Sequence, residues 1–298
     1  MIVDTANGTK IGCDDLGRSQ DPAVVLIGGL ATQRTVWPDT MCDELVAASY
    51  RVIRFDNRDM GESTWSRQPA GDDLLRMVQH GLGPEDTLAY TIDDLGDDVV
   101  ALMDALKIQT AHVVGMSLGG RIAQSVALRH PQRTVGLVSM MSTTGNPALP
   151  PSTPAAMTAL MTPPSDPFDV TAVTELAQAQ QKVIGSPTYE MADDYVRDVV
   201  ALNFERGNNP DGVLRQWLAS SVAGDWRQRL SEITAPTLIM HGRDDPLIPF
   251  AAGEDCAQAI PGAILRLIDG WGHNIPPAIG PLLAQEMSNF FNNLDKGA

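Results

Sequence analysis

The sequence predicts an α/β protein whose mostly parallel central sheet carries helices on both faces. Three observations predict this class: strand and helix patterns alternate in residues 1–142, the alternation returns in residues 233–298, and residues 143–232 carry only helical patterns. Strands that alternate with helices form parallel sheets, so the two outer segments are expected to build one sheet. A chain of 298 residues is long enough for such a core with an insertion.

Each element of the outer segments follows from the spacing of its apolar residues. Short buried runs rich in β-branched residues predict strands, and apolar positions three or four residues apart predict helices. Thr91 is placed to cap the helix that begins near residue 92, with Asp93 and Asp94 in its first turn, where the helix dipole favours acids. The predicted strands are residues 23–27, 51–55, 111–114, 135–140, 237–240 and 264–268, and the predicted helices are residues 92–106, 118–129, 251–259 and 281–292.

The middle segment is predicted to be a helical cap. Prolines between Pro147 and Pro167 interrupt the chain repeatedly, and helical patterns follow near residues 169–183, 189–205 and 211–221. Because the segment lies between two core strands and not at a terminus, we expect it to form a lid over the functional site. The alternative is an independent helical domain without a catalytic role. The predicted domains are a core of residues 1–142 and 233–298 and a cap of residues 143–232.

Charge and composition exclude several classes of function. With 37 acidic and 21 basic residues the formal net charge is −16, which repels phosphate backbones and anionic lipids, so no nucleic-acid or membrane partner is expected. The first residues lack the basic and apolar stretches of a signal peptide, which predicts a cytoplasmic protein. Cys13, Cys42 and Cys256 form no C-x-x-C motif, which argues against a disulfide framework or a thiolate zinc site.

The most informative motif is a serine on a tight turn between a predicted strand and a predicted helix. Gly115-Met116-Ser117-Leu118-Gly119 fits the pattern G-x-S-x-G. In such a nucleophile elbow the turn exposes the serine hydroxyl above the sheet edge, and the glycines let strand and helix pass closely. The helix N-terminus then points at the position where negative charge develops during acyl transfer. Ser117 is therefore the predicted nucleophile.

A serine hydroxyl needs a base, and a histidine is the usual one. Of the five histidines, His273 stands in the loop Gly270-Trp271-Gly272-His273-Asn274, directly after the last predicted strand. A base on that loop can reach over the carboxyl edge of the sheet, so His273 is the predicted general base. His241 follows the preceding strand and is the alternative, although its position is more typical of a structural residue.

The base in turn needs a carboxylate that orients its ring and stabilises the imidazolium. Asp244 and Asp245 both follow the predicted strand 237–240. Neighbouring side chains on an extended segment point in different directions, so only one of the two can face the histidine. The residues by themselves leave the choice between them open.

An oxyanion hole requires two hydrogen-bond donors near the developing negative charge. The first predicted donor is the backbone N–H of Leu118, directly after the nucleophile. The second is expected in the loop after an early strand, where Gly28 and Gly29 give the backbone freedom, and we assign it to the N–H of Leu30.

The motifs of cofactor and metal sites do not occur in the sequence. Gly28 and Gly29 do not form the dinucleotide fingerprint G-x-G-x-x-G, and no H-E-x-x-H or comparable metal spacing appears. His241 with Asp244 and Asp245 resembles a ligand cluster only superficially. We expect neither a cofactor nor a metal ion.

Together these residues resemble the α/β-hydrolase superfamily over nearly the full length of the chain. Within it, the sequence is most similar to bacterial carboxylesterases of the type that includes aclacinomycin methylesterase. The resemblance implies the α/β-hydrolase fold, with a mostly parallel central sheet and a helical cap. The matching stretches are residues 25–30, 55–63, 115–120, 242–249 and 270–273.

The resemblance implies specific roles for three residues. Ser117 is the nucleophile, Asp245 and not Asp244 is the orienting acid, and His273 is the general base. The order Ser, Asp, His along the chain is that of the superfamily. One departure concerns the oxyanion loop, because many relatives carry His-Gly where this chain has Gly28 and Gly29.

The expected activity is that of a cofactor-free serine carboxylesterase acting on a small-molecule ester through an acyl-enzyme intermediate. The same triad could instead serve a perhydrolase, a lactonase or a carbon–carbon bond hydrolase. A remote alternative is a non-catalytic fold that binds a hydrophobic small molecule. The sequence leaves the natural substrate and the oligomeric state open, a homo-oligomer included.

Overall fold

The computed structural model describes residues 1–295 and shows one eight-stranded sheet with helices on both faces. The predicted fold class is confirmed. Every predicted strand and helix of the core is present, with small differences at the ends. The strands are β1 (Ile2–Asp4), β2 (Lys10–Leu16), β3 (Ala23–Ile27), β4 (Arg51–Phe55), β5 (Ala111–Met116), β6 (Thr134–Met140), β7 (Thr237–Gly242) and β8 (Ile264–Ile268).

Eleven α-helices are found in the described residues. Up to residue 295, no helix has both the length and the apolar character needed to cross a bilayer. The helices are α1 (Asp39–Ala47), α2 (Gly71–His80), α3 (Ile92–Ala105), α4 (Leu118–Arg129), α5 (Pro154–Met161), α6 (Val170–Ile184), α7 (Asp193–Arg206), α8 (Pro210–Val222), α9 (Arg227–Leu230), α10 (Ala251–Ala259) and α11 (Gly280–Asp295).

The strand order is β1-β2-β4-β3-β5-β6-β7-β8, and β2 is antiparallel to both of its neighbours. From β3 the chain first continues to β4 on one side and later to β5 on the other. The order therefore reverses between β3 and β5, and a crevice opens at the carboxyl ends of strands at such a point. Ile27 pairs with Gly115, so the loops that follow β3 and β5 start at the same level.

The core lies on both faces of the sheet because side chains alternate along each strand. Val25 and Ile27 of β3 pack in a cluster with residues of α3 and α4, whereas Val24 and Leu26 pack on the opposite face with residues of α1 and α11. All five residues of β3 are buried. Such a strand reads in the sequence as a continuous apolar run, which is why it was predictable.

The predicted N-terminal cap of α3 is confirmed. Thr91 Oγ1 accepts a hydrogen bond from the Asp94 amide at 3.2 Å, and the Asp94 carboxylate accepts one from the Thr91 amide at 2.8 Å. This reciprocal capping box satisfies two amides that the helix itself leaves without partners. Asp93, also in the first turn, lies where the helix dipole stabilises a negative charge.

The N-terminal hairpin of β1 and β2 was not predicted. β2 carries Asp14 and Asp15, which interrupt its apolar pattern. In the structure Asp14 lies 2.9 Å from Arg54 Nε, and Asp15 is bound by Arg51 at 2.9 and 2.7 Å. These arginines belong to β4, the neighbouring strand, so the charges on β2 are paired only once the sheet has formed.

Residues 143–232, all of them described, contain the five helices α5 to α9 and no strand. Several ion pairs join them to the core, and two of these reach fully buried aspartates. Arg206 at the end of α7 lies 2.6 Å from Asp56, and Arg215 of α8 lies 2.8 Å from Asp59. Asp56 is also paired with Arg34 of the core at 2.7 Å. The role of this insertion as a lid stays a prediction.

Candidate active site

Ser117 lies on the turn between β5 and α4 with φ 53° and ψ −120°, a strained conformation for a residue with a side chain. Its amide donates to the Met140 carbonyl at 2.9 Å, which ties the turn to β6. A Cβ at Gly115 would lie 2.0 Å from the Gly119 carbonyl oxygen, and one at Gly119 would lie 2.1 Å from the Ile27 oxygen. The turn therefore requires glycine at both positions.

The structure brings together three side chains from separate loops. His273, five residues after β8, has its Nε2 atom 3.1 Å from Ser117 Oγ. Its Nδ1 atom lies 2.7 Å from Oδ2 of Asp245, three residues after β7. With the proton on Nδ1, the imidazole donates to the carboxylate and leaves Nε2 free to accept from the serine hydroxyl. Ser117 is partly exposed, whereas the other two side chains are buried.

The buried carboxylate of Asp245 is held in its charged form. Its Oδ1 atom accepts hydrogen bonds from the amides of Leu247 at 2.9 Å and Ile248 at 2.8 Å. Burial by itself raises the pKa of Asp245, but His273 and then His241 more than offset this, so that the pKa lies well below its usual range. The carboxylate is therefore available as an acceptor for the imidazole across the neutral pH range.

Asp244 points elsewhere. Its Oδ2 atom accepts a hydrogen bond from the amide of Gly270 at 2.7 Å, at the start of the loop that carries His273. The two adjacent carboxylates thus contact the same loop at different places, Asp245 on the imidazole ring and Asp244 on the backbone. The side chain of Asp244 is exposed to solvent, unlike that of Asp245.

His241 is completely buried beside the same carboxylate. Its Nε2 atom lies 2.8 Å from the Ile248 carbonyl oxygen and 3.6 Å from Asp245 Oδ2, and no hydrogen bond joins its ring to Ser117. A Cβ at Gly253 of α10 would lie 2.6 Å from its Nδ1 atom, so the ring is enclosed on that side. Across residues 1–295, no three His, Cys, Asp or Glu side chains are grouped as metal ligands.

The two predicted oxyanion donors lie at the start of α4 and on the loop after β3. Leu118 is the first residue of α4, where a helical amide has no partner within the helix. A Cβ at Gly29 would lie 3.3 Å from the Cβ of Ser117, so the loop that contains Leu30 passes directly beside the serine. In the described part of the chain, neither the Leu30 nor the Leu118 amide donates to another residue.

The insertion contacts the loop after β3 and the loop that carries His273, and neither contact was predicted from the sequence. The Gln216 side chain of α8, fully buried, accepts from the Ala31 amide at 3.1 Å and donates to the Arg58 carbonyl at 3.0 Å. The Ile184 carbonyl at the end of α6 accepts from the His273 amide at 2.7 Å. No spacing in the sequence relates these residues, because each contact joins segments far apart in the chain.

Comparison with known proteins places this chain among enzymes with a related sequence or fold. The family model for the alpha/beta hydrolase fold matches residues 22–277. The rhodomycin D methylesterase DauP of Streptomyces sp. (strain C5) is 27% identical over 298 residues, which covers 94% of each chain.

Two further proteins extend the comparison. A 2-hydroxy-6-oxononadienedioate/2-hydroxy-6-oxononatrienedioate hydrolase of Cupriavidus pinatubonensis (strain JMP 134 / LMG 1197) is 28% identical over 272 residues, covering 89% of this chain and 84% of that protein. The solved structure of the enol-lactonase from Burkholderia xenovorans LB400 superposes with a TM-score of 0.72 at 23% identity, over 98% of this chain and 100% of the other. The similarity to the enol-lactonase structure shows a shared fold.

Proposed function

Because the chain belongs to the α/β-hydrolase family, we propose that it is a serine hydrolase of small-molecule carboxylic esters. The observation that carries the proposal is the continuous hydrogen-bonded series from Ser117 through His273 to Asp245, with distances of 3.1 and 2.7 Å. A hydroxyl, an imidazole and a buried carboxylate in this order form the arrangement that activates a serine for acyl transfer. The methylesterase relative supports an ester as the substrate.

In the first half of the proposed reaction, Ser117 Oγ attacks the ester carbonyl carbon while its proton moves to His273 Nε2. Asp245 stabilises the imidazolium that forms. The amides of Leu30 and Leu118 donate to the carbonyl oxygen as it becomes negatively charged. Collapse of this intermediate breaks the bond to the alcohol, which leaves with the proton from His273, and the acyl group stays on Ser117.

In the second half, water attacks the acyl-enzyme carbonyl and gives a proton to His273. The same two amides hold the second oxyanion, because the geometry of the carbonyl is unchanged. Ser117 then leaves with the proton from His273 and the carboxylic acid is released. All groups used in these steps are side chains or amides of the chain, and water is the co-substrate.

A second candidate is the hydrolysis of a carbon–carbon bond next to a ketone by the same triad. The observation in its favour is the similarity to the 2-hydroxy-6-oxononadienedioate hydrolase, which is as close in identity as the methylesterase. The cap, residues 143–232, is proposed to cover the substrate in either case. Parallel assays with an ester and a vinylogous 1,5-diketo acid distinguish the two reactions.

The proposal is tested with p-nitrophenyl acetate, butyrate and octanoate. Wild type is expected to hydrolyse at least one of them, and Ser117→Ala should lose about 10⁴-fold or more in kcat. A fluorophosphonate should add one covalent label to wild type and none to Ser117→Ala, as measured by intact mass. Ser231→Ala, which removes an exposed hydroxyl at the end of α9, is the matched control and should react like wild type.

Two results would contradict the proposal. One is a Ser117→Ala protein that hydrolyses esters at the wild-type rate. The other is a wild-type protein that is folded but is neither labelled by the fluorophosphonate nor active on any of the esters, which would favour the non-catalytic binding protein instead.

A further inference from the structure

Backbone hydrogen bonds connect the loop that carries His273 to the insertion. The His273 amide donates to the Ile184 carbonyl at 2.7 Å, and the Thr188 amide donates to the Gly270 carbonyl at 3.2 Å. A Cβ at Gly272 would lie 2.4 Å from the Gly185 carbonyl oxygen, so the two segments are in close backbone contact. The segment that follows α6 therefore lies directly against the histidine loop.

At the centre of this contact, buried hydrogen bonds connect Ser186, which follows α6, with Asn274, which follows His273. Asn274 Oδ1 accepts from Ser186 Oγ at 2.5 Å and from the Ser186 amide at 3.1 Å. Ser186 Oγ accepts in turn from the Gly272 amide at 3.0 Å. The exposed fractions of Ser186 and Asn274 are 5% and 6%, so water cannot easily replace any of these bonds.

A third side chain completes the set. Asn274 Nδ2 donates to Gln181 Oε1 at 2.7 Å, which fixes the orientation of the amide group and directs its oxygen at Ser186. The residues on either side of His273, Gly272 and Asn274, are thus both held by Ser186. Two glycines give the loop backbone conformational freedom, which the contacts from the insertion reduce together with the Trp271 Nε1 bond to the Asn274 carbonyl within the loop.

We propose that Ser186 and Asn274 are positioning residues, which hold the loop so that the His273 ring stays between Ser117 and Asp245. The inference rests on the proposed function, because positioning matters only if His273 is the base. It also implies that the end of α6 remains docked during the reaction, since lifting this part of the cap would release the His273 amide from Ile184.

The test compares Ser186→Ala with Ser221→Ala, a serine of α8 whose hydroxyl, among the described residues, bonds to the Trp217 carbonyl of its own helix. Misplacement of a reacting group by about 1 Å costs about 100-fold, so Ser186→Ala should lower kcat on p-nitrophenyl acetate by about 10- to 100-fold with KM changed by less than about threefold. Ser221→Ala should match wild type. Each kcat is measured well below the melting temperature of that variant and divided by the folded fraction from circular dichroism.

Ser186→Thr retains the hydroxyl and should recover most of kcat, whereas loss through general packing would persist in this variant. If Ser186→Ala does not fold, Gln181→Met provides the second variant, because it removes the acceptor of Asn274 Nδ2 from a partly exposed position. Gln181→Met should lower kcat in the same direction, by about three- to tenfold.

The positioning role is overturned if folded Ser186→Ala and Gln181→Met both keep wild-type kcat, or if Ser186→Thr is as impaired as Ser186→Ala. In that event an inactive Ser117→Ala variant would leave the proposed function standing. Failure of the proposed function is recognised separately, by wild-type protein that does not hydrolyse the esters.

Discussion

Asp245 and His273 lie on two different loops, yet Oδ2 of the carboxylate is 2.7 Å from Nδ1 of the imidazole. The neighbouring residue Asp244 reaches the same loop at a different point, the amide of Gly270, also at 2.7 Å. Two adjacent carboxylates therefore make separate contacts with this loop. One contacts the ring that is proposed to accept the proton, and the other contacts the backbone where the loop begins.

Replacement of the two carboxylates should have very different effects on activity. Asp245→Asn keeps the shape of the side chain but removes the acceptor for Nδ1–H, so kcat on p-nitrophenyl acetate should fall by about 10⁴-fold. Asp244→Asn should cost less than about tenfold, because it acts only through the loop backbone. Steady-state kinetics of both variants decide the question. Equal losses in the two would contradict the assignment of Asp245.

The oxyanion loop is expected to depend on Gln216. Gln216→Leu fills a similar volume but leaves the Ala31 amide without its acceptor, next to the proposed donor Leu30. We expect kcat to fall by about tenfold or more with little change in KM, because a displaced Leu30 amide would stabilise the oxyanion of the transition state less well. Gln228→Leu, at an exposed position of α9, is the control. A Gln216→Leu enzyme with unchanged kcat would show that the loop holds its shape without this contact.

The ion pair between Arg215 of the insertion and the buried Asp59 of the core should contribute measurably to stability. Arg215→Met removes the arginine that pairs with the fully buried Asp59, which should lower the free energy of unfolding by about 3–5 kcal/mol. Arg197→Met in α7 removes an exposed pair and should cost less than about 1 kcal/mol. Urea unfolding followed by circular dichroism measures both. Similar values for the two variants would argue against tight docking of α8.

Stability should also depend on pH through Asp14. Burial alone raises the pKa of Asp14, but Arg34 and Arg54 lower it below its usual range. The stabilisation is therefore fully present above the unfolded pKa of about 3.9 and is lost as pH falls through the folded value. Asp14→Asn should be less stable than wild type at pH 7, and the difference should shrink on acidification below about pH 4.

The control for this pH dependence is Asp4→Asn, because Asp4 and Lys10 form a solvent-exposed pair 3.6 Å apart. Its unfolding free energy should stay close to that of wild type at every pH. Urea titrations at several pH values between neutral and acidic give the comparison. A deficit of Asp14→Asn that grows as the pH falls would have the wrong sign and would contradict the argument.

The cysteines should be unreactive in the native protein. All three are free and buried, and burial raises the pKa to about 11 for Cys13, about 11 for Cys42 and about 12 for Cys256. Because the thiolate is the reactive form, a disulfide reagent such as DTNB should release almost no chromophore at about pH 8. In guanidinium chloride all three should react. Rapid labelling of the native protein would show that one of these sites opens readily.

The features that were predictable from the sequence are local ones. A buried strand such as residues 23–27 shows its environment in its own composition, and the cap of α3 lies within four residues of chain. The turn at Ser117 is partly local, because Gly115 is required by the approach of Gly119 four positions on, whereas Gly119 is required by the distant Ile27 carbonyl. The helical insertion was recognisable by its prolines and because its apolar residues follow helical spacing, without the strand patterns of the flanking segments.

The tertiary structure decided what depends on contacts between distant segments. Asp14 and Asp15 lie on a strand because arginines of the adjacent strand neutralise them. The direction of Asp244 and Asp245 follows from where the loop after β8 passes, and residues alone left that choice open. Gln216 and Ser186 acquire their contacts only when the insertion folds onto the core. Sequence determines the local backbone through short-range sterics and apolar period, whereas the partner of a buried polar group is set by the docking of whole elements.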